Sequence, residues 1–136
     1  MARNVLVDAG FLVALLSRRD SHHQWAVTQA PGHAPPWRTC EAVLSEGFHL
    51  LGARGAPGLG ALFRRRALIA AVDLDNDVES VLKLLQKYAN LPMSLADACL
   101  VRMSETLPEP IVLTTDSDFR IYRRHSRQTV PCLLPS

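Results

Sequence analysis

Short apolar runs alternate along the chain with stretches whose apolar positions recur every three or four residues. Val5-Leu6-Val7 closes on Asp8 and predicts a buried strand over 4–7. Ala9-Gly10 reads as a turn, and a helix is expected over 11–16. Asp20 or Ser21 can cap a second helix reaching about Ala30. Residues 31–36 form a loop with a Pro-Gly turn, and Trp37-Arg38 is a minimal strand. Thr39 is then expected to cap a helix that carries Val43, Leu44, Gly47, Leu50 and Leu51 on one face. A glycine-rich break is predicted over 52–60, a short helical piece over 61–66 and a strand over 68–72. The amphipathic stretch 75–88 begins with acids and carries Lys83 and Lys87 late, as the helix dipole favours. A further helix over 94–106, a strand over 111–114 and an edge strand over 129–134 containing Pro131 complete the pattern.

Strands that alternate with helices in this way predict an α/β fold. The expected architecture is a three-layer α/β/α sandwich with a central, mainly parallel sheet. The 136 residues suit a single domain over 1–136, and an apolar share of 48% is enough for a core. Such sheets bind ligands outside the carboxyl ends of their strands. Two of the strands here run into acids, Val5-Leu6-Val7-Asp8 and Val112-Leu113-Thr114-Thr115-Asp116.

Each acid alone has an ordinary explanation. Asp8 can cap the helix that follows it. Asp97 completes a capping box in Ser94-Leu95-Ala96-Asp97. Asp116 and Asp118 suit Asx turns. Glu46 borders an apolar helix face, since Ala42, Val43, His49 and Leu50 are its neighbours at three and four positions. Such a carboxylate is paired, metal-bound or at the rim of a cleft, or turns its head to water. Taken together, strand ends and helix starts on one sheet edge are rigid and converge. A magnesium or manganese site needs several oxygen donors on such elements, with room left for water and phosphate.

The chain resembles PIN-domain ribonucleases of the VapC type, the toxins of bacterial toxin–antitoxin pairs. The resemblance is carried by Val5-Leu6-Val7-Asp8-Ala9-Gly10, by Thr39-Cys40-Glu41-Ala42-Val43-Leu44-Ser45-Glu46, by Leu95-Ala96-Asp97-Ala98 and by the segment Val112 to Phe119. It implies that Asp8, Glu46, Asp97 and Asp116 form the catalytic metal site for Mg2+ or Mn2+. Glu41 competes with Glu46, and Asp118 is the second candidate for the place of Asp116. Ala9 and Gly10 stand where the family often has a polar residue, so a hydrogen bond near Asp8 is either missing or supplied by a backbone group. The implied activity is hydrolysis of RNA phosphodiesters, leaving a 5′-phosphate and a 3′-hydroxyl. Neutralisation by a small protein antitoxin is implied as well. Mutual repulsion among the four acids should raise at least one pKa without metal.

Charge and the remaining motifs refine this picture. Setting the four acids aside leaves nine acids against fifteen basic side chains, a net of +6. A basic body around an acidic hole suits a nuclease. Arg120, Arg123, Arg124 and Arg127 follow the last acidic loop, which makes Arg120, Arg123 and Arg124, with Thr114 and Thr115, candidates for contact with the RNA backbone. Arg64-Arg65-Arg66 is either a phosphate or partner contact or a solvated turn. His22 and His23 are adjacent and read as surface, and His49 as packed or solvated. Three widely spaced cysteines without a CxxC pair read as free thiols of a reducing cytoplasm. No signal peptide and no apolar run of membrane-spanning length is read. The dense apolar stretch Phe11, Leu12, Leu15 and Leu16, with Trp25 beyond it, is expected to leave an exposed patch and so a homodimer. The rival readings are a non-catalytic PIN-like domain that binds RNA or a partner, which would not need the acid cluster, and, more distantly, a phosphotransfer receiver.

Overall fold

The computed structural model describes residues 3–136. Five parallel strands form the central sheet in the order β3-β2-β1-β4-β7. They are β1 (Asn4–Val7), β2 (Trp37–Thr39), β3 (Leu68–Ala70), β4 (Pro110–Leu113) and β7 (Cys132–Leu133). Between them run α1 (Ala9–Leu16), α2 (His23–Gln29), α3 (Glu41–Arg64), α4 (Val78–Lys87) and α5 (Leu95–Thr106). A small antiparallel hairpin, β5 (Arg123–Arg124) with β6 (Gln128–Thr129), lies apart from the sheet. Helix α1 packs on both α2 and α3, and α4 packs on α5, so helices cover the sheet as expected of an α/β/α sandwich. Among the described residues no helix is long and apolar enough to cross a membrane.

The two central strands are apolar because both of their faces are covered. Val5, Leu6, Val7, Ile111, Val112 and Leu113 are all buried. Strand order reverses between β1 and β4, where β1 has its sequence successor β2 on one side and β4 on the other. That reversal opens a crevice at the carboxyl ends of these two strands.

Several local expectations are corrected. Thr39 does not cap α3. It ends β2, and its hydroxyl donates to the Val7 carbonyl at 2.8 Å, while Cys40 takes the cap position without a side-chain bond. Neither Asp20 nor Ser21 is the cap residue of α2, which starts after His22, although the Asp20 carboxylate accepts from the His22 amide at 2.8 Å. His23 is half-buried, its ring nitrogen 2.7 Å from the Ala14 carbonyl. The stretch over 75–88 opens as a three-ten turn at Leu74–Asp77 before α4 begins. The last strand is split at Pro131, which lacks a donor, into β6 and β7.

Phe11 and Leu12 are fully buried, and Phe11 packs edge-on against Trp25 and Trp37. Leu15 and Leu16 are partly buried against the same core. Phe11 and Leu12 thus close the interior, while Leu15, Leu16 and Trp25 keep part of their surface exposed.

The glycine-rich stretch is a single bend, not a loop. Gly52 has φ 63° and ψ −165°, and helix continues on either side of it. Gly55, Gly58, Gly60 and Pro57 are helical. The bend folds the second segment of α3 back over the first, so that a Cβ on Gly47 would meet Leu59 at 3.2 Å. The Gly52 backbone lies in a region open essentially to glycine alone. No atom lies within 4 Å of an added Cβ at Gly52 or at Gly60, so the two sites differ in backbone alone. Gly52→Ala is expected to cost about 1–3 kcal/mol. Gly60→Ala, in regular helix, is expected to gain about 0.4–1 kcal/mol. Urea denaturation of both variants checks this, and equal effects would mean that the bend is not strained for alanine.

Candidate active site

The register of β1 on β4 pairs Val7 with Leu113, so the next residue of each strand, Asp8 and Thr114, falls side by side. The Asp8 amide continues the ladder to the Leu113 carbonyl at 3.3 Å. Its carboxylate is then fixed from two directions. The Thr114 hydroxyl donates to Oδ2, and the Phe11 amide donates to Oδ1 at 2.9 Å. The second bond is the N-cap of α1. Thr114 Oγ1 also accepts from the Asp116 amide at 2.9 Å, which ties the two strand ends together. The hydrogen bond that Ala9 and Gly10 cannot give Asp8 therefore comes from a backbone amide and from Thr114. Gly10 is needed for this closure, because a Cβ there would collide with Thr115 Oγ1.

Asp8 is 7% exposed. Burial pushes its pKa up to about 7. The bonds from Thr114 and Phe11 oppose the rise, and the charges of Asp97 and Asp116 add to it. Loss of hydration, rather than the repulsion expected among the acids, is thus the main cause.

Asp97 keeps both halves of its capping box. Its amide donates to Ser94 Oγ at 3.0 Å, and its Oδ2 accepts from the Ser94 amide at 3.4 Å. The same oxygen accepts from the Tyr122 hydroxyl at 3.1 Å. Burial raises the Asp97 pKa against these bonds. The phenol of Tyr122 is itself pushed up by burial and by the adjacent carboxylate. Its ring is wholly buried and meets Tyr88 and Phe119 edge-on. Asp116 caps the three-ten turn Ser117–Arg120 by accepting from the Asp118 amide at 2.9 Å. Glu46 stands exposed on the first segment of α3, one turn after Val43.

Asp8, Glu46, Asp97 and Asp116 line one cleft of about 350 Å³, with Val43 and Thr115 among its other walls. Glu41 lies elsewhere, on a cavity that it shares with Cys40 and Cys99. Asp118 is not on the cleft wall, nor is any arginine. The Arg123 guanidinium turns back to the carbonyls of Arg120, Ile121 and Tyr122 at 2.8, 3.1 and 3.1 Å. Arg124 donates to the Ser104 carbonyl, and its Nε is buried. Arg120 is exposed.

The donors suit a hard cation, being all carboxylate oxygens on rigid elements. Among the described residues no three acidic, histidine or cysteine side chains converge into a cage. Magnesium seldom needs one, since it keeps several waters and takes one or two carboxylates. An open cleft walled by four separated acids fits a hydrated ion of that kind.

A family model, the PIN domain, matches residues 5–124. The chain belongs to the PIN domain family. Its fold is shared with Mycobacterium tuberculosis VapC20, whose structure is that of a sarcin–ricin loop cleaving toxin. The two are 23% identical, with a TM-score of 0.74 over 84% of this chain and 91% of that one. No curated protein matches the chain. Within this PIN domain the sequence pattern did not single out Tyr122. It lies 25 residues from Asp97, and no periodicity or motif links the two.

The state of Asp8 predicts a pH dependence in the metal-free protein. Its folded pKa lies above the ordinary carboxylate value, so its proton is held more tightly in the fold. Its stabilising effect is full below about pH 4 and is lost as pH rises through about 7. Asp8→Asn should therefore flatten the fall in urea midpoint between about pH 4 and 8, and should equal or exceed the parent at neutral pH. Parallel curves for parent and variant, in chelator, would show that Asp8 is not the group responsible.

Proposed function

We propose that this PIN domain is a divalent-metal-dependent endoribonuclease, a VapC-type toxin that acts in the cytoplasm. The observation that carries the reading is the delivery of four carboxylates, from four separate elements, to one cleft at the strand-order reversal. Asp8, Asp97 and Asp116 each sit on a cap that fixes the start of a helix or turn. Together with Glu46 they are the residues that would hold Mg2+ or Mn2+. When bound, the ion supplies positive charge against the reacting phosphodiester and makes water a stronger acid.

The chain's own groups do the remaining work. Thr114 and the Phe11 amide keep Asp8 in one orientation, and Ser94 and Tyr122 do the same for Asp97. Such fixed placement lowers the reorganisation needed in the transition state. A carboxylate oxygen of Glu46 not used in holding the ion, exposed on the cleft wall, is assigned to orient the attacking water and to accept its proton. Water attacks phosphorus as its proton passes to the carboxylate, the bond from phosphorus to the 3′ oxygen breaks, that oxygen takes a proton from solvent water, and the products carry a 5′-phosphate and a 3′-hydroxyl. Thr115, on the cleft wall, and the exposed Arg120 are assigned to the backbone of the RNA.

The same reading includes a small protein antitoxin that covers the cleft and a homodimer as the working unit. The net positive charge outside the four acids supports capture of RNA.

Purified protein is expected to cleave RNA with Mg2+ or Mn2+ and to stop in excess EDTA. Asp8→Asn, Glu46→Gln, Asp97→Asn and Asp116→Asn should each lower kcat/KM by about a hundredfold or more while the fold persists by circular dichroism. Cleavage that survives EDTA would sink the metal mechanism. Full activity in any one variant would remove that residue from the site. Co-expression with neighbouring gene products followed by sizing tests the antitoxin and the dimer, and a lone, fully active monomer would count against both.

A further inference from the structure

Helices α1 and α3 both begin near the cleft, and they frame a second cavity farther along. It encloses about 440 Å³ between the end of α1 and the bend of α3. Leu16 and Leu51 line its apolar part, and Ser17, Arg18, Arg19 and Arg54 line the rest. No acid is on its wall. The three arginines are exposed. Among the described residues the ion pairs are those of Arg102 with Asp77 and Glu105, so none of the three has a carboxylate partner. The neighbouring acid, Asp20, spends an oxygen on the His22 amide.

Three like charges around one cavity repel one another, and an anion between them removes that cost. Guanidinium groups match phosphate oxygens with paired hydrogen bonds. The two leucines offer the apolar contact that a ribose or base can use. The bend at Gly52 sets the direction of the segment that carries Arg54. The cavity lies at the far end of the helix that begins beside Asp8. Leu16 is eight residues beyond Asp8, about 12 Å along α1. That is roughly three or four stacked nucleotides at about 3.4 Å each.

We propose that Arg18, Arg19 and Arg54 form a subsite for a backbone phosphate of the RNA substrate, three or four nucleotides from the bond that is cut. The inference rests on the ribonuclease reading. It moves backbone recognition away from Arg123 and Arg124, whose guanidinium groups are bonded to main-chain carbonyls.

The test uses a fluorescent single-stranded RNA of about twelve nucleotides and the full chain. Binding is read by anisotropy in EDTA, so that it is separate from cleavage. Replacing the three arginines by glutamine (R18Q, R19Q and R54Q together) should weaken binding roughly ten- to hundredfold. The slope of log Kd against log salt should become shallower by about 0.7, the change for one phosphate of a single strand. Lysine in the same places should keep most of the slope and lose part of the affinity. With Mg2+, the glutamine variant should show a raised KM and an unchanged kcat on the long RNA. A trinucleotide confined to the cleft should be cut equally by parent and variant. Since the three side chains are exposed and repel one another, the triple variant should melt no lower than the parent; if it does melt early, Arg54→Gln alone should still weaken binding and flatten the slope.

Unchanged affinity and slope in a parent that does cleave RNA would overturn this subsite and leave the ribonuclease reading standing. A parent that neither binds nor cleaves RNA would overturn both. A variant that binds RNA normally but no longer binds an acidic protein partner would make the cavity a protein-docking surface and would also overturn the proposal.

Discussion

A carboxylate buried at the end of the central strand is the constraint around which this molecule is arranged. Asp8 loses most of its water and receives in exchange one hydroxyl and one amide hydrogen bond. Those two bonds do not restore an ordinary acidity, and the pKa stays near 7. The group therefore stands at the border between neutral and charged. A cation placed beside it would complete what the two hydrogen bonds leave undone. The same two bonds fix neighbouring structure, because one is the cap of α1 and the other joins β1 to the loop after β4.

Three of the acids that line the cleft also hold local structure. Asp97 caps α5 while facing the cleft, and Asp116 caps the turn that follows β4. Each cap also points backbone N–H groups, the positive end of a short helix or turn, towards a carboxylate. The arrangement keeps like charges close enough to share a cleft while partly neutralising each one. Amide substitutions keep the shape of a cap and remove its charge, which lets the two roles be separated.

The basic side is set by a different device. Gly52 bends α3, the second segment returns over the first, and Arg54 comes to lie beside Arg18 and Arg19. On the opposite side, Arg102 ties Asp77 before α4 to Glu105 in α5, with Glu105 also receiving the His125 amide. The positive charges there are consumed in holding elements together, whereas those around the bend are left facing solvent. The sign of the surface is consequently uneven around a cleft that is itself acidic.

Sequence alone determined the elements whose signals are local. Val5-Leu6-Val7 and Ile111-Val112-Leu113 read as strands because strands covered on both faces are continuously apolar. Ser94 with Asp97 read as a cap because a capping box spans only four residues. Asp8, Asp97 and Asp116 could be picked out at the ends of such elements, whereas Glu46, inside α3, is preferred over Glu41 only through the family resemblance. Other features came only with tertiary structure. Thr39 looks like a cap, yet its hydroxyl is taken by a carbonyl of the neighbouring strand. A run of glycines looks like a loop, yet only Gly52 leaves the helix, since packing against α1 and the first half of α3 holds the rest helical. Arg123 and Arg124 look free, yet they are drawn to main-chain oxygens that the sequence does not place beside them. Thr114 lies 106 residues from Asp8 and Tyr122 lies 25 from Asp97. Those pairs depend on strand register and on the packing of a loop against α5, and both are settled by the burial of the whole core rather than by any stretch of chain that could be read in isolation.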